Sequence, residues 1–132
     1  MSDADVEAVR RGVEAYNRGD VDGVLEMADP EVTLVPIRSL LEGGAYTGHE
    51  GLREFLADMD EDWERREVEV DEIRDLNGRV LVLGNFHAVG RSSGSEVRQP
   101  VAWLCEMRAG RLRGLKAFSD QDSALSELGL SA

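Results

Sequence analysis

Few residues of this 132-residue chain combine a reactive type with a telling position. Asp120 is the first. It lies in "LKAFSDQDSALSELGL", residues 115–130, where a strand-like run passes into a helix-like one. A carboxylate at such a join has two readings. It caps the helix by accepting from the amides of Asp122 or Ser123. Or Ser119 caps instead, and Asp120, walled by apolar groups that raise its pKa, exchanges protons near neutral pH. His87 is the second candidate, on a strand face with Leu81, Leu83, Asn85 and Val89. A "RSSGS" turn centred near Ser93 sets Gln99 across from His87, on a face with Val97, Val101, Trp103 and Cys105. That face would line a pocket, with His87, Gln99 and the Trp103 indole as its hydrogen-bonding groups. The plain alternative is a histidine satisfied by its neighbours. Tyr16, Tyr46, Trp63 and Phe118 complete the candidate ligand-binding set. Each of the first three has an equally plain packing reading.

Other chemistry finds no support. Cys105 is the only cysteine, which excludes an internal disulfide and a multi-cysteine metal site. It lies in the apolar run "PVAWLCEM" with no activating histidine nearby, so it reads as a small buried hydrophobe. "GAYTGHEG" lacks the GK[ST] ending of a phosphate loop, and His49-Glu50 is not H-E-x-x-H. "GRSSG" places its serines in a hairpin turn, not a nucleophile elbow. No metal set and no cofactor fingerprint is present, and no cofactor is expected. Lys116 and Arg98 read as solvated, Arg98 facing solvent or a partner subunit.

The elements that must position these residues follow from periodicity. Val6, Val9, Val13 and Tyr16 recur at helical spacing, which predicts a helix near residues 3–18. "NRGD" stops it, with Gly19 as terminator and Asp20 as cap of a short second helix that Pro30 ends. "EVTLVPI" reads as a strand and "RSLLEGGAYTG" as a glycine-rich loop. Thr47 and Glu50 form a capping box for a third helix with the stripe Leu52, Phe55, Leu56, Met59 and Trp63. "DEDWERRE" reads as its solvated end. Four strands follow: "EVEVDEI", "RVLVLGNFHAV", "VRQPVAWLCEM" and "RLRGLKAFS". Asn77-Gly78, "RSSGSE" and Ala109-Gly110 are the turns between them. Pro100 marks a bulge or an edge. A short helix from Asp122 closes at Gly129. Three successive hairpins predict an α+β fold, a curved antiparallel sheet with helices covering its concave side around an apolar pocket.

Bulk properties narrow the function classes. At 42% hydrophobic residues the chain is expected to form one packed domain over residues 1–132. The net charge of −12 repels nucleic acid and anionic lipid, so neither is an expected partner. No apolar run reaches the length of a membrane span, and "MSDADVEAVRR" has no signal-peptide core. A cytoplasmic protein is therefore expected.

The order of elements, with four stretches, resembles the nuclear transport factor 2-like superfamily and its SnoaL-like, polyketide-cyclase-like members. The stretches are "AYNRGDVDGVLEMADPEVTLV", "YTGHEGLREFL", "GRSSGSEV" and "AFSDQDSALSELGL". The resemblance implies a cone-shaped domain that forms a homodimer and holds a small apolar molecule. Ketosteroid isomerases, which share the fold, use a carboxylate base with a tyrosine and a protonated aspartic acid as donors. Their positions fall here on Val35, Gly12 and Trp103, so that route is closed. Polyketide cyclases place an aspartate at the end of the last strand, where Asp120 stands. Their polar supports fall on Leu104 and Glu106. The resemblance thus implies either a cofactor-free acid–base enzyme (isomerase, cyclase, dehydratase or epoxide hydrolase) using Asp120 and His87, or a non-catalytic binding or interaction module of the same fold.

Overall fold

Helix α1 spans Ser2–Arg18 and buries Val9, Val13 and Tyr16. Gly19, at φ +72°, ends it. Asp20 caps α2, Val21–Met27, by accepting from the Gly23 amide at 3.0 Å. The chain extends at once into β1, Ala28–Val35. Pro30 is therefore a strand residue and not a helix stop. It falls between Ala28 and Thr33, where the pairing of β1 breaks register, so its missing N–H costs no ladder bond. The computed structural model describes residues 2–37 and 43–130; of the expected glycine-rich loop, residues 38–42 lie outside the described residues.

The two-residue strand β2, Tyr46–Thr47, leads into α3, Gly48–Asp62. Thr47 occupies the N-cap position but its side chain makes no capping bond. Strands β3 (Trp63–Asp75), β4 (Arg79–Gly90), β5 (Glu96–Arg108) and β6 (Arg111–Phe118) form successive hairpins, and α4, Gln121–Glu127, follows. The sheet order is β2-β1-β6-β5-β4-β3. Every pairing is antiparallel except β1 with β6, so the sheet is mixed. Pro100 lies where β5 has β4 on one side and no β6 on the other, because β6 pairing begins at Ala102. No described helix is long and apolar enough to cross a membrane.

The two faces of the sheet carry separate cores. Val80, Val82, Phe86, Val101 and Cys105 face α1, α2 and α3. Leu81, Leu83, Ala102 and Phe118 face Ala124 and Leu125 of α4. The last helix thus packs on the opposite face from the other three. This corrects the expectation that all helices cover one side.

The edge strand β3 is blunted from within. The Asn17 side-chain amide donates to the Val68 carbonyl and accepts from the Val68 N–H, both at 2.9 Å, as a neighbouring strand would. Two tight turns place non-glycine residues at positive φ, Asn77 at 58° and Ala109 at 53°. Asn tolerates that region and Ala does not. Ala109→Asn is expected to stabilise the protein by about 0.5–1 kcal/mol, read as a rise in the urea midpoint at unchanged slope.

Candidate ligand cavity

The concave core does not close completely. A cavity of about 330 Å³ remains between α1, α2, α3 and the sheet. Its position follows from sequence. The α1 stripe contributes Val13 and Tyr16, and the α3 stripe Leu52, Phe55, Leu56 and Met59. β4 contributes Phe86, and β5 contributes Gln99, Val101 and Trp103. Of the chain's two Trp, two Tyr and three Phe, five line this space: Tyr16, Phe55, Trp63, Phe86 and Trp103. Trp103 meets Tyr16 edge to face at 6.2 Å between ring centroids, and Trp63 meets Phe86 at 5.6 Å. Ile37, Asp62 and Gln99 are the exposed members of the lining and mark its rim.

Tyr16 is the one phenol in the wall. Burial pushes its pKa up to about 12, against the opposing pull of the Arg66 guanidinium 4.4 Å from its ring centroid. The hydroxyl therefore stays protonated at ordinary pH and offers a hydrogen bond, not a charge. Arg66 is itself deeply placed. It donates to the Tyr16 carbonyl at 3.0 Å and pairs with Asp60 at 2.9 Å, tying α1 and the end of α3 to β3.

Residues 9–115 match the family model of the SnoaL-like domain. The chain belongs to the SnoaL-like domain family. Solved structures agree in fold. A putative SnoaL-like polyketide cyclase from Jannaschia sp. CCS1 is 19% identical, with 100% of this chain and 96% of that one covered at a TM-score of 0.80. An NTF2-like protein of unknown function from Burkholderia pseudomallei is 22% identical, with 96% and 97% covered at 0.80. A protein of ketosteroid isomerase-like fold from Catenulispora acidiphila, solved with trimethylamine, is 18% identical, with 95% and 94% covered at 0.77. No curated protein sequence matches the chain.

The SnoaL-like domain brings together some of the residues singled out from sequence and separates the rest. Tyr16, Trp63, Gln99 and Trp103 all line the cavity. Tyr46 stands behind it. Its ring packs edge to face on Phe55 at 5.4 Å, and its hydroxyl donates to Asp58 at 2.8 Å. Phe118 lies in the core on the far face of the sheet. Asp120 is on that far side too. It caps α4, accepting from the Ser123 amide at 2.7 Å and the Ser123 hydroxyl at 2.9 Å. These bonds hold its carboxyl below the usual carboxylate range, the reverse of what a proton-transfer acid in an apolar pocket needs.

His87 faces away from the cavity. It pairs with Arg98, not Gln99, and Gln99 pairs with Phe86. The hairpin is centred half a residue earlier than the sequence suggested. That slip turns the whole of β5 over relative to β4. His87 lies instead by an open polar groove, with its Nε2 at 3.2 Å from Glu69 Oε1 but not in hydrogen-bond geometry. Cys105 is packed inside the concave core, and burial pushes its thiol up to about 12.

Met27, Phe86 and Asp62 are among the cavity residues that escaped the sequence reading. Phe86 was legible, since it shares the apolar alternation of Val80, Val82 and Ala88. Met27 and Asp62 carried no such signal. Met27 sets one limit of the cavity. A Cβ at Gly12 would stand 2.6 Å from the Met27 methyl, a flexible end that must then move. Gly12→Ala is expected to weaken binding of a cavity ligand about three- to tenfold. Its net stability change should be within about 1 kcal/mol, since the helix gain offsets the crowding. Ligand titration beside urea unfolding separates the two effects.

Proposed function

We propose that this SnoaL-like domain binds a small, largely apolar molecule in the concave cavity, and that binding, not proton transfer, is its task. The observation that carries the reading is the lining. Five aromatic rings and a set of aliphatic side chains enclose about 330 Å³, within the usual range for a ligand site. Asp62 at the rim is the only Asp, Glu, Lys, Arg or His in the lining among the described residues. The carboxylate and histidine on which an acid–base mechanism would rest, Asp120 and His87, belong to the other face. Gly12 and Trp103, aligned with two proton-handling positions of the isomerases, line the cavity without supplying an acid or base.

The test is a titration with a neutral fluorescent probe such as N-phenyl-1-naphthylamine. Saturable binding that is weakened by Gly12→Ala and unchanged by Asp120→Asn is the expected result. Absence of saturable binding sinks the reading. The family resemblance adds a homodimer, which sedimentation equilibrium checks.

A further inference from the structure

Resting on that reading, we infer that Met27 is the adaptable wall of the cavity and sets which ligands it takes: compact two-ring bodies with Met27 at rest, and larger fused-ring bodies once its side chain leaves its seat on Gly12. The resting size follows from the volume. A dry apolar cavity of about 150 Å³ holds benzene, so about 330 Å³ holds a body of about 13 non-hydrogen atoms. Anything larger needs a wall to give way.

Most of the wall is pinned. Each of its five aromatic rings stands in an edge-to-face pair: Tyr16 with Trp103, Trp63 with Phe86, and Phe55 with Tyr46, whose hydroxyl donates to Asp58. Moving one ring breaks a ring contact as well as the packing around it. Leu34 and Val101 are buried on the sheet. Met27 differs. Its backbone is fixed, because it ends α2 and β1 begins at the next residue. Its side chain is unbranched, turns about three bonds and is only half-buried. Met27 can therefore move without any element moving.

Helix α1 provides its seat. Gly12 lies inside α1 in ordinary helical backbone, so φ does not require glycine there. In that setting glycine favours the helix less than alanine would. Space explains its presence. The nearest atoms to a Cβ at this position all belong to Met27: the methyl at 2.6 Å, and Cγ and Sδ at 3.2 Å. The thioether thus lies along bare backbone of α1, within the lining that both residues share. Met59, also in the lining, is not among the nearest atoms to any glycine Cβ and serves as the comparison.

1-Naphthalenemethanol and 1-pyrenemethanol test this. They carry the same polar group on two and on four fused rings, one body within the resting volume and one beyond it. Both fluoresce, so direct titration gives both dissociation constants. The parent protein should bind both. Met27→Leu keeps the volume but branches the end, so the side chain can no longer lie flat on Gly12 or swing clear. It should weaken the pyrene about fivefold or more relative to the naphthalene. Met27→Ala should shift the ratio the other way, and Met59→Leu should leave it unchanged. The ratio is the readout because damage to the fold weakens both ligands alike. The loss caused by Gly12→Ala should also vanish in the Met27→Ala background, since the colliding methyl is gone. A parent protein that binds the naphthalene and rejects the pyrene overturns the adaptable wall. So does a ratio indifferent to both Met27 variants. In either case the apolar-ligand reading stands. Additive effects of Gly12→Ala and Met27→Ala overturn the seat. Binding of neither alcohol overturns both the inference and the reading it rests on.

Discussion

Gly84→Ala is expected to cost about 3 kcal/mol and to lower the melting temperature by about 10 °C. Gly84 lies within β4, paired with Val70 and Val101, in ordinary extended backbone. Its importance is space, not φ. A Cβ there would stand 2.1 Å from the Glu69 carbonyl oxygen and 3.1 Å from Val70 Cα. Both are backbone, so no side chain can swing aside. β3 must withdraw from β4 by about 1 Å, a distance that strains or breaks the ladder bonds beside it. The register of β3 shifts between Val70 and Glu72, next to this contact, so the glycine admits the bulge that bends the sheet. Two residues on, Phe86 enters the cavity wall. The substitution should therefore weaken ligand binding as well as stability. Gly78→Ala, in an open turn, is the comparison; it should lose stability through its φ of 90° and keep cavity affinity. Thermal melts beside probe titrations on the two variants decide. Normal melting of the Gly84 variant contradicts the close approach.

Gly84 also shows what a sequence discloses. A lone glycine in an apolar strand run is a recognised sign of a bulge or close backbone contact, and "LVLGNFHAV" contained one. The larger elements were equally readable. The α1 and α3 stripes, the Asn77-Gly78 turn and the helix after Phe118 all came from local patterns that tertiary contacts did not override. The boundary of α3 was not readable. "DEDWERRE" looks like a charged helix end, yet Trp63–Asp75 is strand because β4 is long enough to pair with all of it. Pairing partners lie outside any local window.

The site was lost by smaller margins. His87 and Gln99 were expected on one face because the hairpin was centred near Ser93. The actual pairing of His87 with Arg98 moves that centre by half a residue, and side chains alternate with period two. The slip exchanges His87 for Phe86 as the neighbour of Gln99. It turns a polar constellation into an aromatic wall. Asp120 illustrates a different limit. A capping Asp and a catalytic Asp read identically in one dimension, and the side of the sheet on which the last helix packs distinguishes them. That side is set by Ala124 and Leu125 meeting Leu81, Leu83 and Phe118, a contact no local pattern announces.

A loss of stability of about 7 kcal/mol between pH 9 and pH 12 is the second large expectation, and it bears on what the cavity can do. Two buried acids hold their protons in the folded state. Cys105 is raised from 9.0 to about 12, and Tyr16 from 10.0 to about 12. In the unfolded chain each titrates at its ordinary value. Between that value and the folded one the unfolded state has released a proton that the native state keeps. Stability then falls as pH rises, by about 1.4 kcal/mol per unit and per group. Cys105 contributes about 4 kcal/mol over pH 9–12 and Tyr16 about 3 kcal/mol over pH 10–12, both fully present below those windows. The sum is comparable to the whole stability of a small domain, so alkaline unfolding should set in within this range. Tyr16→Phe should remove the decline that begins at pH 10, and Cys105→Ala the earlier one, in urea midpoints measured across pH. A flat alkaline profile in the parent protein would show that neither group is desolvated as described. The same burial fixes the functional consequence. A phenol that titrates only near pH 12 and a thiol sealed in the core cannot exchange protons with a ligand at neutral pH.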